Sequence, residues 1–596
     1  MFQTFEVTAR PEQGPPRLAA LRERMAAQDL DGFIVPRADA HQGEYVAARD
    51  ARLAWLTGFT GSAGFCVALA DRAGVFVDGR YRTQVKAQVA EVFTPVAWPE
   101  TTLADWLLEA LPGGGQVGFD PWLHTVREIE RAEAALEGSG IKLVQSDNLV
   151  DAIWDDQPAP PAAPAKAHPL EFAGEAHGDK RARLALTLVD AGQSAAVITL
   201  PDSLCWLLNI RGADIERNPV VQAFGLLHAD GSVDLFAEPT KFETLHDHLG
   251  PDVRLAPVGD FLPALEGVTG TVGYDPDTAP RIVADTLGAR GARAAEPCAL
   301  PKACKNAAEI EGAAAAHLRD GAAMVEMLCW LDQQAPGSLR ETQVVSHLET
   351  LRRRDNGLQD ISFETIAGTG PNGAIMHYRV TEETDSVLQD GQLLVLDSGG
   401  QYLDGTTDIT RTIAIGKPPD EACAAFTRVL EGMIAMSRLR WPEGLAGAHI
   451  EMIGRLPLWM AGQDFDHGLG HGVGAYLSVH EGPQRLSRIN TVPLKPGMIL
   501  SNEPGYYREG AFGIRIENLL VVQQADPVPG GDAHRKMLDW RTLAFVPIDR
   551  RLIVTDMLST DARTWLDAYH REVATKIGPR VTPAAKEWLD AATAPL

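Results

Sequence analysis

"MILSNEPGYYREGAFGIRIENLLVV", Met498–Val522, sets Glu503 and Glu517 symmetrically about Gly510, between the apolar runs Met498–Leu500 and Leu519–Val522. Two apolar strands around a glycine-bearing turn read as a β-hairpin. Glutamates in such a ladder are buried or half-buried, and a buried carboxylate needs a cation. An earlier stretch repeats the arrangement. In "LLVLDSGGQYLDGTTDITRTIAI", Leu393–Ile415, Asp397 and Asp408 flank a Gly/Asp turn centred near Tyr402–Leu403, so folding brings them beside each other. Aspartate is a poor strand residue, and like charges across a ladder repel. Alone, this hairpin is explained as well by strand ends facing water as by a metal site. Two hairpins that each offer a carboxylate pair from an apolar ladder favour the metal site.

Between them lies "HGLGHGVGAYLSVHEGP", His467–Pro483, which holds three of the chain's 16 histidines: His467, His471 and His480. His467 and His471 have the spacing of a helical zinc motif. Gly468, Gly470, Gly472 and Gly474 deny the helix, since four glycines cost about 3–4 kcal/mol relative to alanine. No glutamate stands between the histidines as in HExxH. The period is two. His467, Leu469, His471 and Val473 line one face of an extended strand, and the bare glycine face admits another backbone or a ligand. The donors number four carboxylates and one to three imidazoles, without cysteine. This hard, oxygen-rich set suits Mn²⁺, with Co²⁺ or Zn²⁺ compatible on geometry. Four carboxylate charges balance two divalent cations, which implies a dinuclear site able to bridge a hydroxide and polarise a carbonyl. "GTGPNGAIMHYR", Gly368–Arg379, reads as a loop whose His377 is a candidate substrate contact.

A chain of 596 residues exceeds one hydrophobic core, and about two to four domains is the usual outcome. The net charge of -26 argues against nucleic acid or an anionic membrane as partner. The start of the chain holds no secretory apolar run, and no stretch approaches the roughly 18–20 apolar residues of a membrane span. Six scattered cysteines without a CxxC pair read as reduced thiols in a cytoplasmic protein. Gln157–Pro169, rich in proline and alanine, reads as an extended spacer. It separates two similar segments, Asp31–Gln84 and Gln193–Glu238. Each has an apolar strand, a Trp-Leu pair (Trp55–Leu56, Trp206–Leu207) and two further strands around a polar turn. These read as two copies of one α/β domain. Beyond about residue 300, helices are expected from Asn306, over Glu341–Arg354, and over Asp420–Leu439 with Phe426, Leu430 and Met433 on one face. A final helix carries Trp565, Tyr569, Val573 and Ile577 and stops at Gly578–Pro579. With the hairpins, they make the last domain α+β. The expected domains are 1–156, 157–300 and 301–596.

The ordered motifs "LDSGGQYLDGTTDITRT", "HGLGHGVG", "SNEPGYY" and "GIRIEN" resemble the five-ligand signature of the pita-bread metallopeptidases, the family of methionine aminopeptidase, prolidase and aminopeptidase P. The stretches "HQGEY", "GFTGSAGF", "VDGRYRTQ", "CWLLNIRGADIERNPV" and "LAFVPIDRRLI" extend the resemblance to three-domain cytosolic Xaa-Pro aminopeptidases. The resemblance implies two creatinase-like α/β domains before a pita-bread catalytic domain with a C-terminal extension. It implies that Asp397, Asp408, His471, Glu503 and Glu517 hold two metals, Asp408 and Glu517 bridging, and that Glu503 carries protons. It gives His377, His467 and His480 to substrate and intermediate, Arg515 to support, and Arg80 to substrate. A structural pair with Asp78 explains Arg80 equally well. The implied reaction is hydrolysis of the bond before a proline at position two by a metal-bridging hydroxide, in a homodimer. Rivals are a prolidase that cuts only dipeptides, a metal-free creatinase-like enzyme and a non-catalytic peptide-binding module.

Overall fold

The computed structural model describes residues 1–355 and 357–596. The chain forms two compact units, Thr8–Leu300 and Met1–Val7 with Pro301–Leu596.

The Thr8–Leu300 unit holds two six-stranded mixed sheets. In the first, β1 (Gly32–Pro36), β2 (Phe65–Leu69), β3 (Ala73–Val77), β4 (Thr94–Ala97), β5 (Gly115–Phe119) and β6 (Ile141–Gln145) run in the order 4-3-2-1-5-6. In the second, β7 (Ala195–Ile198), β8 (Phe224–His228), β9 (Val233–Phe236), β10 (Val253–Ala256), β11 (Val272–Tyr274) and β12 (Gly291–Arg293) run 10-9-8-7-11-12. The pairings correspond one for one. The first strand is antiparallel to the second, the second to the third, and the remaining contacts are parallel. The repeat legible in the sequence is therefore a repeat of topology. β1 is apolar throughout because both its faces are covered: Phe33 and Val35 join one core, Ile34 the other. The Trp-Leu pairs lie on matching helices, α1 (Arg52–Thr57) and α2 (Pro201–Leu208). The proline-rich spacer is pinned at its end. Ala165 N–H donates to Lys241 C=O at 2.8 Å, and Lys166–Ala167 pairs with Ile210–Arg211.

In the second unit, helix α3 (Ala307–Asp332) starts at a capping box. The Asn306 side chain accepts from Ala308 and Glu309 N–H while Glu309 returns to Asn306 N–H. Helices α4 (Glu341–Arg352) and α5 (Asp420–Ser437) follow, the latter burying Phe426, Leu430 and Met433. The helix expected to be last, α6 (Thr560–Ile577), is not: Thr582 caps a further helix, α7 (Pro583–Ala592). Strands β13 (Ile366–Thr369), β14 (Leu393–Ser398) and β15 (Ile409–Ala414) form one antiparallel sheet, whose Leu394, Leu396 and Ile413 pack with Val344 and Leu348 of α4. A larger antiparallel sheet contains β16 (Gly470–Gly472), β17 (Glu481–Leu486), β18 (Ile499–Asn502), β20 (Asn518–Gln524) and β21 (Met537–Thr542), with the separate hairpin strand β19 (Gly505–Arg508) inserted after β18. The first residues of the chain belong here. Gln3 pairs its side-chain amide with the main chain of Thr365, donating at 3.2 Å and accepting at 2.8 Å.

Candidate metal centre

The two carboxylate hairpins differ in register. β18 and β20 place Asn502 opposite Asn518, so the next pair outward is Glu503 and Glu517, symmetric about Gly510 as the sequence reads. β14 and β15 place Asp397 opposite Thr410. Asp408 stands two residues short of that partner, just ahead of β15. The two aspartates are therefore diagonal rather than side by side, though still close enough for the Asp397 charge to act on Asp408. The chain between them folds into a small ladder of Gly400–Tyr402 on Gly405–Thr406. The hairpins meet where Glu517 N–H donates to Thr410 C=O (3.1 Å) and Thr410 Oγ1–H donates to Glu517 Oε2 (2.8 Å). Arg411, buried and bonded to the Tyr569 hydroxyl at 2.9 Å, also holds the Glu517 carbonyl at 2.6 Å. Tyr569 thus packs inward within the chain.

The histidine stretch is extended, but regular strand covers only Gly470–Gly472, and a bulge between His471 and Gly472 breaks the strict alternation expected over His467–Val473. The glycines answer a real crowding: a Cβ on Gly470 would sit 1.9 Å from Ser501 C=O, and one on Gly472 2.6 Å from Glu481 C=O. His471 N–H donates to Ser501 Oγ at 2.9 Å. Its Nδ1 lies 2.9 Å from Gly472 C=O. A carbonyl only accepts, so Nδ1 carries the proton and Nε2 presents a lone pair. That lone pair faces Asp408 Oδ2 and Glu503 Oε1, each at 3.5 Å. Three acceptor atoms this close call for a proton or a cation among them.

Burial sharpens the requirement. Asp397, Asp408 and Glu517 are 7%, 4% and 1% exposed. Asp397 Oδ1, Asp408 Oδ1 and Glu517 Oε1 are buried without a hydrogen-bond partner. Burial, then the charges of Asp397 and Glu503, hold the Asp408 carboxyl well above the usual carboxylate range. Burial, then Asp408 and Asp397, does the same for Glu517. Burial and the Glu517 charge push Glu503 up to about 7, against the opposing pull of His471 and Arg515. Ligand atoms of Asp408, His471 and Glu517 lie within 4.8 Å of one another. Orphaned buried oxygens, a directed imidazole lone pair and mutually repelling carboxylates fit divalent cations. Arg515 amends the charge count. Its guanidinium donates to Asp397 Oδ2 at 2.5 and 3.2 Å. With that positive charge included, two divalent cations leave room for one anionic ligand.

Arg515 also donates to the Tyr507 hydroxyl at 2.6 Å, and that hydroxyl lies 2.9 Å from His467 Nε2. His467 Nδ1 is committed to Gly468 C=O at 2.7 Å. An unbroken path thus runs from Asp397 through Arg515 and Tyr507 to His467. His480 stacks its ring edge-on to His471, centroids 4.3 Å apart. The next residue, Glu481, is buried between Lys302 and Lys305. His377, half-buried, follows the turn Gly370–Ala374, where Gly373 C=O approaches Gly513 so closely that a Cβ there would lie 1.6 Å away. That contact seats the His377 loop on the strand of Arg515. Arg80 lies in the other unit, where it donates to both Asp78 oxygens at 2.9 and 2.6 Å. Tyr507, Ser501, Thr410 and Arg411 escaped the sequence reading. Each is a neighbour in space, and a hydroxyl or guanidine beside a ligand has no spacing signal of its own.

Comparison with known proteins bears on this geometry. The sequence pattern of "Metallopeptidase family M24" matches residues 311–524. Two patterns described as "Creatinase/Prolidase N-terminal domain" match 17–153 and 156–309, and "C-terminal region of peptidase M24" matches 536–596. The chain is 37% identical to a probable Xaa-Pro aminopeptidase P of Laccaria bicolor, over 97% of this chain and 93% of that one. It is 36% identical to aminopeptidase P2 of Arabidopsis thaliana, over 95% and 86%. The crystal structure of X-prolyl aminopeptidase from Caenorhabditis elegans, described as a cytosolic enzyme with a di-nuclear active site, superposes with a TM-score of 0.93 at 31% identity, covering 98% of this chain and 100% of that one.

Proposed function

We propose, from the premise that this chain belongs to metallopeptidase family M24, that Asp397, Asp408, His471, Glu503 and Glu517 hold two divalent cations, Mn²⁺ by preference. The chain is an Xaa-Pro aminopeptidase, with two creatinase-like α/β domains ahead of a pita-bread catalytic domain. We assign the domains to 1–156, 157–300 and 301–596, with the first seven residues clustering with the last domain.

Bound cations supply an activated water and polarise the scissile carbonyl. The residues of the chain do the rest. The nitrogen of an Xaa-Pro bond carries no hydrogen, so the departing proline amine must receive a proton from the enzyme. Glu503 is placed to carry it at its carboxylate: partly buried, beside His471, and steadied by the Ser501 hydroxyl at 3.1 Å. His480 and His377 serve as donors toward the carbonyl oxygen as it gains charge. His467, its Nδ1–H held by Gly468 C=O, offers Nε2 as an acceptor to substrate when its ring exchanges the Tyr507 hydroxyl for it. Arg515 holds the Asp397 carboxylate in place through its Oδ2.

The observation that carries this reading is the gathering of buried carboxylates around His471: Asp408 and Glu503 lie 3.5 Å from its Nε2, and Asp397, Asp408 and Glu517 each have one oxygen lacking a hydrogen-bond partner. The test is release of the N-terminal residue from an Xaa-Pro-Yaa tripeptide by Mn²⁺-loaded protein, beside an Xaa-Pro dipeptide. Intact tripeptide with metal content confirmed refutes the reading, and cleavage confined to the dipeptide makes the protein a prolidase. The substrates we assign are peptides with proline at position two, in the cytoplasm. We also assign a homodimer. What supports it is the apolar face Met452, Leu456, Trp459 and Met460, which is exposed at helical spacing. Among the described residues, no helix is long and apolar enough to cross a membrane.

A further inference from the structure

We propose that the buried Asp320–Arg352 pair sets the separation of Asp397 and Asp408, acting through the residue that follows one ligand and the residue that precedes the other. The proposal rests on the metal-centre reading above and concerns two side chains that touch neither cation site.

Asp320 is on α3 and Arg352 at the end of α4, and both side chains are withdrawn from solvent. Arg352 donates to Asp320 Oδ1 at 2.5 Å and Oδ2 at 3.1 Å, which fixes the guanidinium plane. Its remaining nitrogen donates to Ser398 Oγ and, at 3.2 Å, to Gly399 C=O. Ser398 is the residue after Asp397. Across the pair, Asp320 Oδ2 accepts from Thr407 Oγ1 at 2.6 Å, and Oδ1 from the Tyr402 hydroxyl at 3.2 Å. Thr407 is the residue before Asp408. Its hydroxyl oxygen also accepts from Gly400 N–H at 2.8 Å, closing the loop on itself. Thr365 adds a third hold, its hydroxyl 2.6 Å from that of Ser398.

Among the described residues, and apart from each other, the hydrogen-bond partners of these two side chains fall within Ser398–Thr407, the segment joining the two aspartate ligands. A device that only tied α3 to α4 would not need them. Nor is a buried ion pair an efficient tie, because desolvation offsets most of the attraction. What the pair adds is direction. The two aspartates are diagonal in their hairpin and do not face each other across a ladder. Strand pairing holds Asp397 but ends at Ser398 and Ile409, one residue short of Asp408, so the placement of Asp408 also depends on the turn, and the turn is tied to an outside reference. The helix pair α3–α4 is that reference, and the two sides of the turn are bonded to its two ends.

The experiment compares wild type with T407V, T407S and S398A. Each is titrated with Mn²⁺ against a chelating indicator and loaded with Co²⁺ for its visible absorption, and each metal-free form is melted. We expect T407V to bind the second cation at least tenfold more weakly, with altered cobalt bands and a metal-free melting temperature within a few degrees of wild type. T407S, which restores the hydroxyl, should recover wild-type affinity and spectrum. kcat should fall in T407V while KM moves by less than about threefold. S398A, which leaves Thr407 and the ion pair in place, should show the same shift in lesser degree and serves if T407V does not fold. Wild-type affinity and spectra in both T407V and S398A overturn the proposal. So does failure of T407S to recover, which would assign the effect to packing. Absence of metal from the wild type would instead defeat the metal-centre reading itself.

Discussion

Stripping the cations with a chelator leaves Asp408, Glu503 and Glu517 confined together, each with its pKa raised chiefly by burial. A carboxyl raised in the folded state binds its proton more tightly there than when unfolded. The stability it contributes is fully present below its unfolded value and is lost as pH rises through the folded one. For Glu503 the window runs from 4.5 to about 7. At 1.36 kcal/mol per unit that shift is worth about 3 kcal/mol, taken for a side chain only 17% exposed. Asp408 and Glu517 continue the loss above that window. For a unit of about 300 residues, roughly 1–2 °C accompanies each kcal/mol, so Glu503 alone should lower the melting temperature of the metal-free unit by about 3–6 °C across the window. The metal-loaded protein should run the other way, because its ligands must be deprotonated and acid expels the cations. The assay is scanning calorimetry of chelated and Mn²⁺-loaded protein from pH 5 to 8, with chelated E503Q as the control that removes the Glu503 share. A chelated melting temperature that climbs across this range, or a slope that E503Q leaves unchanged, would refute the reasoning.

Asp408→Asn should retain less than about a tenth of the metal by elemental analysis and lose activity on Xaa-Pro-Yaa by more than about a thousandfold, since a neutral amide replaces an anionic ligand at the crowded point of the site. Arg515→Met leaves the Asp397 carboxylate buried and unpaired; in the metal-free protein this should cost about 3–5 kcal/mol by denaturant melts, with Arg515→Lys recovering part. Tyr507→Phe removes the hydroxyl shared by Arg515 and His467 and should lower kcat/KM about tenfold with metal content unchanged; lost metal would place Tyr507 in support of the cations instead. Trp459→Glu should shift the protein to monomer in sedimentation velocity, and a dimer of undiminished stability would move the interface elsewhere.

Much of this protein is legible in its sequence because the deciding signals are local. Apolar runs on either side of Gly510 announce a hairpin, and the symmetry of Glu503 and Glu517 about that glycine is realised as ladder register. Alternating glycines exclude a helix at His467–His471, and two strand–Trp-Leu–strand segments become two sheets of one topology. Spacing alone did not decide which imidazole turns a lone pair toward the carboxylates. That depends on Gly472 C=O and Ser501 Oγ, whose positions follow from a bulge and a glycine contact. Nor did it place Asp397 and Asp408 diagonally, pair Arg515 with Asp397 across 118 residues, or dock Gln3 on Thr365 across 362. Side-chain period is a property of neighbours along the chain, and the sequence writes it openly. The convergence of charges depends on packing between distant segments, where hydrogen-bond geometry and burial choose among pairings that the sequence leaves equal.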